Sequence, residues 1–377
     1  GGGNTFSGAF IINGGSVTLA VDTPTIARPD MIPDTAAVTL AGGTALNLQG
    51  RVEVMGSLAG LGNINLGSGG VLGFGGLNSN TMLGGVISGT DGTLTKRGAG
   101  ITTLQGASVF TGTLNITGGG IVLANFGGNA LEDTFNVVLK QAGAMFEVGA
   151  AGEAIGNLNG APGSSILLNG NLAATFTDGA QLVRAGVGGR TILNANNTTS
   201  TTDSPDWTGN NVDDALALSV GMRLIEPELF GSPTWVVQLS GSNKVLMSNV
   251  SQGSGEIPEL RFAPVAMMSN ATSGSGGWVK NGNGTVILVG NQQHLGDTVI
   301  NSGTVQLGGF QSGGRFVNHN VLSDSSQLVL GNSGAQVVNF AGSGSNLFTF
   351  ERIGSLAGGN GVNTMINLVE GSAGILG

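Results

Sequence analysis

The sequence predicts an all-β chain wound as a β-solenoid, with an inserted segment containing Pro and Trp on its side. Three observations carry this. Glycine is very abundant in an otherwise apolar chain. The apolar segments are short and alternate, with polar corners between them. Whole groups of motifs recur along the chain.

Glycine fills 71 of 377 positions, against an ordinary share of roughly one in fourteen. Hydrophobic residues make up 40%, charged residues 9%, and the mean hydropathy is +0.24. That much apolar content excludes a disordered chain, which is poor in apolar residues and rich in charge. Glycine follows no three-residue period and only 9 prolines occur, which excludes collagen. No apolar run reaches the ~18 residues of a spanning helix, so no membrane-spanning segment is expected. The opening Gly1-Gly2-Gly3 has neither the basic nor the apolar region of a signal peptide.

The net charge is −9. Nucleic-acid binding needs clustered Lys and Arg, and Lys96-Arg97 is the one adjacent basic pair, so no nucleic-acid partner is expected. Absent cysteine excludes a disulfide framework and thiolate metal sites. It also suits an exported chain, which has no thiols to misbridge.

The strands read as 4–6-residue stretches such as Val286-Ile287-Leu288-Val289 and Gln327-Leu328-Val329-Leu330. Corners are Gly, Asn, Ser and Asp, which tolerate positive φ and bond locally to the backbone. A helical period over a useful length is almost absent, and Val212 to Leu218 is too short for an independent helix.

Repeats settle which all-β architecture to expect. Asn4-Thr5-Phe6-Ser7-Gly8, followed by Ile12-Asn13-Gly14-Gly15-Ser16-Val17-Thr18-Leu19, returns at Ser108 to Leu123 and at Gln293 to Leu307. Met55-Gly56-Ser57-Leu58-Ala59-Gly60 returns as Ile155-Gly156-Asn157-Leu158-Asn159-Gly160 and as Ile353-Gly354-Ser355-Leu356-Ala357-Gly358. These two patterns keep step, with intervals of 104 and 185 for the first and 100 and 198 for the second. A third pattern, Leu94-Thr95-Lys96-Arg97-Gly98-Ala99-Gly100, recurs as Trp278-Val279-Lys280-Asn281-Gly282-Asn283-Gly284 and leads into the first. Its earliest copy is missing, because the chain begins inside it.

The expected organisation is therefore one continuous solenoid: a first module over 1–93, a second over 94–197, an insertion over 198–275 and a third module over 276–377. At roughly 20–22 residues per coil the chain would make 17–19 coils, a rod on the order of 80–90 Å. The insertion holds five of the nine prolines and two of the three tryptophans, and proline is kept out of central ladders. Trp235 to Leu239 and Lys244 to Met247 are its candidate hairpin strands.

In this order the motifs resemble the autotransporter-associated β-strand repeat of bacterial surface proteins. The resemblance covers most of the chain outside 198–275. It implies a right-handed parallel β-helix, secreted and held at the cell surface, of the kind that serves as adhesin or scaffold. A C-terminal run of ~10-residue amphipathic strands that would build a membrane barrel is not seen, so the route of export is open.

Candidate chemistry is sparse. Asp213-Asp214, with Asp203 and Asp206 upstream, and Glu226-Pro227-Glu228 are the carboxylate groups, and they read as solvated loop residues. His294 and His319, 25 residues apart, are near one coil spacing but lack the neighbours of a metal site. Lys96 and Lys280 read as coil-edge residues whose stems cover apolar surface while the ammonium stays wet. No catalytic residue, cofactor or metal is assigned, and the chain reads as a non-enzyme.

The ends complete each other. Joining Gly377 to Gly1 places Leu376 seven positions before Phe6, as Leu288 stands before Leu295. Gly1, Gly2, Gly3, Asn4 and Phe6 with Ile375, Leu376 and Gly377 would then form a joint between copies stacked head to tail by strand addition. The expectation is a subunit of an extracellular surface fibre, with copies of itself as partner. The alternatives are a monomeric adhesin passenger binding host or matrix glycans, and a polysaccharide-degrading β-helix enzyme.

Overall fold

The computed structural model describes residues 4–19, 31–176, 266–311, 315–317, 321–331, 336–340, 352–358 and 364–368, with six short strands inside 183–263. All regular structure there is β, and no helix is long and apolar enough to cross a membrane. The coils stack in parallel, strand on strand, on three faces.

A full coil is Ser57–Gly60 on face I, Asn63–Ser68 on face II and Val71–Phe74 on face III. The next begins at Thr81–Leu83 on face I, and the single strand Ile87–Lys96 bends across faces II and III. Face I is a nine-stranded sheet, Phe10–Ile12 to Ala271–Ser273. Face II belongs to a separate six-stranded sheet from Glu153–Ile155 onward. The main path of the 14-stranded sheet passes through twelve strands and ends at Thr364–Leu368. The described strands make twelve coils, which at about 4.8 Å span roughly 53 Å, where 17–19 coils and 80–90 Å were expected of the whole chain. The expectation divided the whole chain into equal coils, whereas successive strands in one sheet lie 19 residues apart at Ile101↔Gly120, 33 at Gly303↔Gln336 and 106 at Ser165↔Ala271.

Alternate side chains point inward and stack on themselves. Leu83, Leu104, Leu123, Val148 and Leu168 form one buried column on face I. Each such side chain contributes about 1.5–3 kcal/mol on burial. Where corners break the backbone ladder, asparagine bridges adjacent coils. Asn63 Oδ1 accepts from Val86 N at 2.9 Å, Asn80 from Ile101 N at 2.8 Å, and Asn171 from Gly277 N at 2.8 Å.

The pairing passes directly over the insertion. Leu172–Thr175 pairs with Trp278–Asn281 and Ser165–Leu168 with Ala271–Ser273, in the same parallel register as any neighbouring coils. The chain leaves the coils after Thr175 and rejoins them at Ala266. Between these points Val236–Ser240 and Lys244–Met247 pair antiparallel.

The modules share a rhythm of strands, not of residues. Counting one position per face, including faces passed over, the strand after the motif around Phe6, Phe110 or Leu295 is first Phe10–Ile12 on face I. It next appears fourteen positions later in Val109–Ile116 on face III, and fourteen later again as Thr298–Ile300 on face II. The strands Ser57–Gly60, Leu158–Gly160 and Ser355–Gly358 follow the same interval and the same order of faces. Fourteen positions are four coils and two faces, so each module is turned one face from the last.

Candidate functional site

In each module the described strands leave a gap on one face where a longer excursion runs. No described strand lies on face III between Ser16–Thr18 and Ala37–Leu40, on face II between Gly120–Leu123 and Asn136–Leu139, or on face I between Gly303–Leu307 and Gln327–Leu330. The coil stacked on the gap then lacks a strand to pair with on that side. Among the described residues Val52–Val54 pairs only with Val71–Phe74, and Glu153–Ile155 only with Leu172–Thr175.

A buried glutamate fills each gap that the structure describes. Glu53 accepts the backbone N–H of Met31 at 3.0 Å and of Ile32 at 2.8 Å. Glu153 accepts from Ala130 N at 2.9 Å and from Ala154 N at 3.3 Å. The donors at Met31, Ile32 and Ala130 are the residues with which the excursions return to the coils. Burial lifts the Glu153 carboxyl to about 7; the N–H groups of Ala130, Ala154 and Leu131 pull against it, and nearby Asp133 adds to the rise. The motif reading missed these glutamates. The signal was present: Glu53, Glu153 and Glu351 each stand two residues before the Met/Ile-Gly pair.

Lys96 and Lys280 are not wet coil-edge residues. Both are wholly buried and lie in inward columns, Lys96 between Phe74 and Ile116, Lys280 between Ala174 and Ile300. Lys96 Nζ donates to the carbonyls of Arg97 at 2.6 Å, Gly98 at 3.2 Å and Gly118 at 3.4 Å. Lys280 Nζ does the same to Asn281 at 3.3 Å, Gly282 at 2.8 Å and Ser302 at 2.8 Å, and lies 5.5 Å from the Phe176 ring centre. The Gly in Lys-x-Gly is needed: Gly98 has φ +66, and a Cβ there would stand 2.2 Å from Gly75 O. Three carbonyls converging on one corner require a donor, and a buried ammonium supplies three N–H groups. Burial pushes the Lys96 ammonium down to about 8.

His294 is buried between two threonines, Nδ1 2.8 Å from Thr272 Oγ1 and Nε2 2.9 Å from Thr298 Oγ1. Burial lowers its pKa to about 4, so the neutral ring is locked in place. His319, Asp203, Asp206, Asp213, Asp214, Glu226 and Glu228 lie outside the described residues, as do Gly1, Gly2, Gly3, Ile375, Leu376 and Gly377. Of the end residues expected at a joint, Asn4 donates to Met31 O at 2.7 Å and Phe6 stacks on Phe10 at 5.9 Å. Both serve this chain's own first coils. Among the described residues no group of three or more His, Asp or Glu is arranged to hold a metal ion.

The corner that buries the lysine is also where a likeness to known proteins falls. A family model described as the passenger-associated-transport-repeat matches residues 94–123 and 279–307, the two stretches running from Lys96 or Lys280 through the next coil. Two stretches of the chain thus resemble that repeat, each around one buried lysine. The adhesin BmaC autotransporter of Brucella suis biovar 1 (strain 1330) is similar, at 28% identity over 308 residues. The match takes in 71% of this chain and 9% of that protein, so the chain spans under a tenth of its relative's length. No solved structure matches this chain.

Proposed function

We propose that this chain is a stretch of the rod of a bacterial surface passenger that serves adhesion. The observation that carries the reading is the pairing of Leu172–Thr175 with Trp278–Asn281 across the insertion. A scaffold that holds its register over so large an excursion is suited to displaying surface segments. The repeat and the similarity to an adhesin support the same role, a location outside the cell, and a mechanical rather than catalytic task. Beads coated with the chain should adhere to cultured epithelial cells above uncoated beads. Equal retention of both would overturn the reading.

A second reading is the head-to-tail fibre. Among the described residues Phe10–Ile12 and Ser16–Thr18 each pair on one side only, with Ala37–Leu40 and Ala45–Asn47, and open edges of this kind invite strand addition. Electron microscopy of the purified chain separates the two. Discrete particles about 5 nm long support the rod, and filaments many times longer support the fibre.

A further inference from the structure

Asparagine followed by glycine is a labile pair. The glycine nitrogen can swing onto the asparagine side-chain carbonyl, and no side chain stands in its way. The described residues hold five such pairs, at Asn13, Asn159, Asn169, Asn281 and Asn283. The fold holds four of them still. Asn159 Oδ1 accepts from Met267 N at 2.9 Å, and Gly160 lies in the ladder between Leu139 and Met268. Asn169 Nδ2 donates to Glu147 Oε1 at 2.9 Å, and Gly170 is packed so closely that a Cβ would stand 2.5 Å from Gly149 O. Asn281 Oδ1 accepts from Asn301 Nδ2 at 2.8 Å, and a Cβ on Gly282 would stand 2.2 Å from Phe176 O. At Asn283 the attacking nitrogen itself is tied, because Gly284 N donates to Phe176 O at 2.9 Å.

Asn13 differs. Asn13, Gly14 and Gly15 are all exposed. Among the described residues neither the Asn13 side chain nor the Gly14 N–H has a hydrogen-bond partner. A Cβ on Gly14 or Gly15 would meet nothing within 4 Å. The backbone is anchored on either side, with Ala41 N donating to Ile12 O at 2.9 Å and Ala45 N to Gly15 O at 3.1 Å. Between those anchors the corner is free to turn. Its exposure belongs to the corner and not to the edge of the stack. Gly42 and Gly43 hold the same corner of the next coil, where Ala37–Leu40 has a strand on each side, and they are exposed as well.

We propose that Asn13 is a self-modifying site, converted through a cyclic imide to aspartate and isoaspartate while the other described Asn-Gly pairs are preserved. The Gly14 nitrogen bonds to the side-chain carbonyl carbon of Asn13. The bond from that carbon to the side-chain nitrogen breaks, and this nitrogen leaves as ammonia with the proton that Gly14 gives up. Water then opens the ring at one carbonyl to give aspartate, or at the other to give isoaspartate. Either product adds a negative charge at the corner. Isoaspartate also lengthens the main chain by one carbon between the Ile12 and Gly15 anchors. The pairing of Ser16–Thr18 with Ala45–Asn47 is then held less tightly.

The test ages the full chain in mildly alkaline buffer at body temperature. Peptide mapping by mass spectrometry follows the exchange of amide for acid at each Asn-Gly pair. Asn13 should convert roughly tenfold or more faster than the other four, which must first open locally. Equal conversion at all five, or an intact Asn13 beside a converted neighbour, overturns the proposal. Gly14→Ala fits the corner, since a Cβ there touches nothing. It should keep the melting curve and slow conversion at Asn13 by roughly tenfold; an unchanged rate overturns the imide route. In urea all the Asn-Gly pairs should convert at similar rates. A spread as wide as in the folded chain would trace the selectivity to sequence and overturn the assignment to the fold. Hydrogen exchange at Ser16–Thr18 should be faster in the aged chain than in the fresh one, and equal exchange would overturn the loosening of the coil.

Discussion

Glu53 and Glu153 occupy one place in two modules and stand on different faces, Glu53 on face III and Glu153 on face II. Each is stacked over a gap where the preceding coil has no strand, and each bonds the backbone with which the chain returns from its excursion. Removing the carboxylate leaves those N–H groups buried without an acceptor, at about 1–3 kcal/mol each. Glu153→Ala should therefore destabilise the chain by about 2–4 kcal/mol. Hydrogen exchange at Ala130 and Leu131 should quicken far more than at Val137. Equal protection in the variant would mean the carboxylate does not hold the return.

Lys96→Met and Lys280→Met keep the apolar stem and remove the donor. Three inward carbonyls then lose their partner at each corner. A loss of about 2–4 kcal/mol in urea unfolding is expected for each. If methionine were tolerated within a few tenths of a kcal/mol, the ammonium would be a passenger in the core rather than its corner staple.

Two groups make opposing contributions to stability in the same pH range. His294 is held to about 4, below its unfolded value, so the unfolded chain binds more protons between them and stability is lost as pH falls from about 6.5 to 4. Glu153 is raised to about 7, so the folded chain binds the extra proton and stability is lost as pH rises from about 4.5 to 7. The wild-type chain should show little net slope from these two. His294→Asn should unmask a fall in melting temperature with rising pH, and Glu153→Gln a rise. Parallel profiles for both variants would contradict the opposed shifts.

Much of this was legible in the sequence. Phe110, Leu114 and Leu123 announce the coil by alternation, and Trp235 to Met247 marks a hairpin that the structure contains. Lys96 was misread because long charged side chains usually reach water. Its spacing from Leu94 and its place before Gly98 put it instead in the inward phase at a corner full of carbonyls. The glutamates hid for a related reason. They share the inward alternation with Met55 and Ile155, where a carboxylate is expected only if the backbone lacks a partner, and that lack shows only once coils are stacked. The rhythm of fourteen face positions was invisible because residue spacing is distorted by excursions of unequal length.

Excision of 177–265, with a four-residue Gly/Ser link from Phe176 to Ala266, should leave the coils intact. Each flanking strand already pairs with an adjacent coil, Leu172–Thr175 with Trp278–Asn281 and Ala266–Met268 with Leu158–Gly160. The shortened chain should keep its β-rich circular dichroism and a cooperative melt. An unfolded or aggregated product would show that the excursion is needed to close the coil.

The central claim is that strand pairing runs straight across the insertion and keeps each module at fourteen face positions. The chain has no cysteine, so a paired replacement reports without interference. Leu167 and Ser273 are opposite each other on adjacent strands, about 4.8 Å apart and within the reach of a disulfide. Glu147 and Ser273 are two coils apart, roughly 9.6 Å, and beyond it. Under mild oxidation L167C/S273C should close a disulfide, seen as a mobility shift on non-reducing electrophoresis, while E147C/S273C should not. A folded L167C/S273C chain that stays reduced would place another strand between these coils and contradict the account.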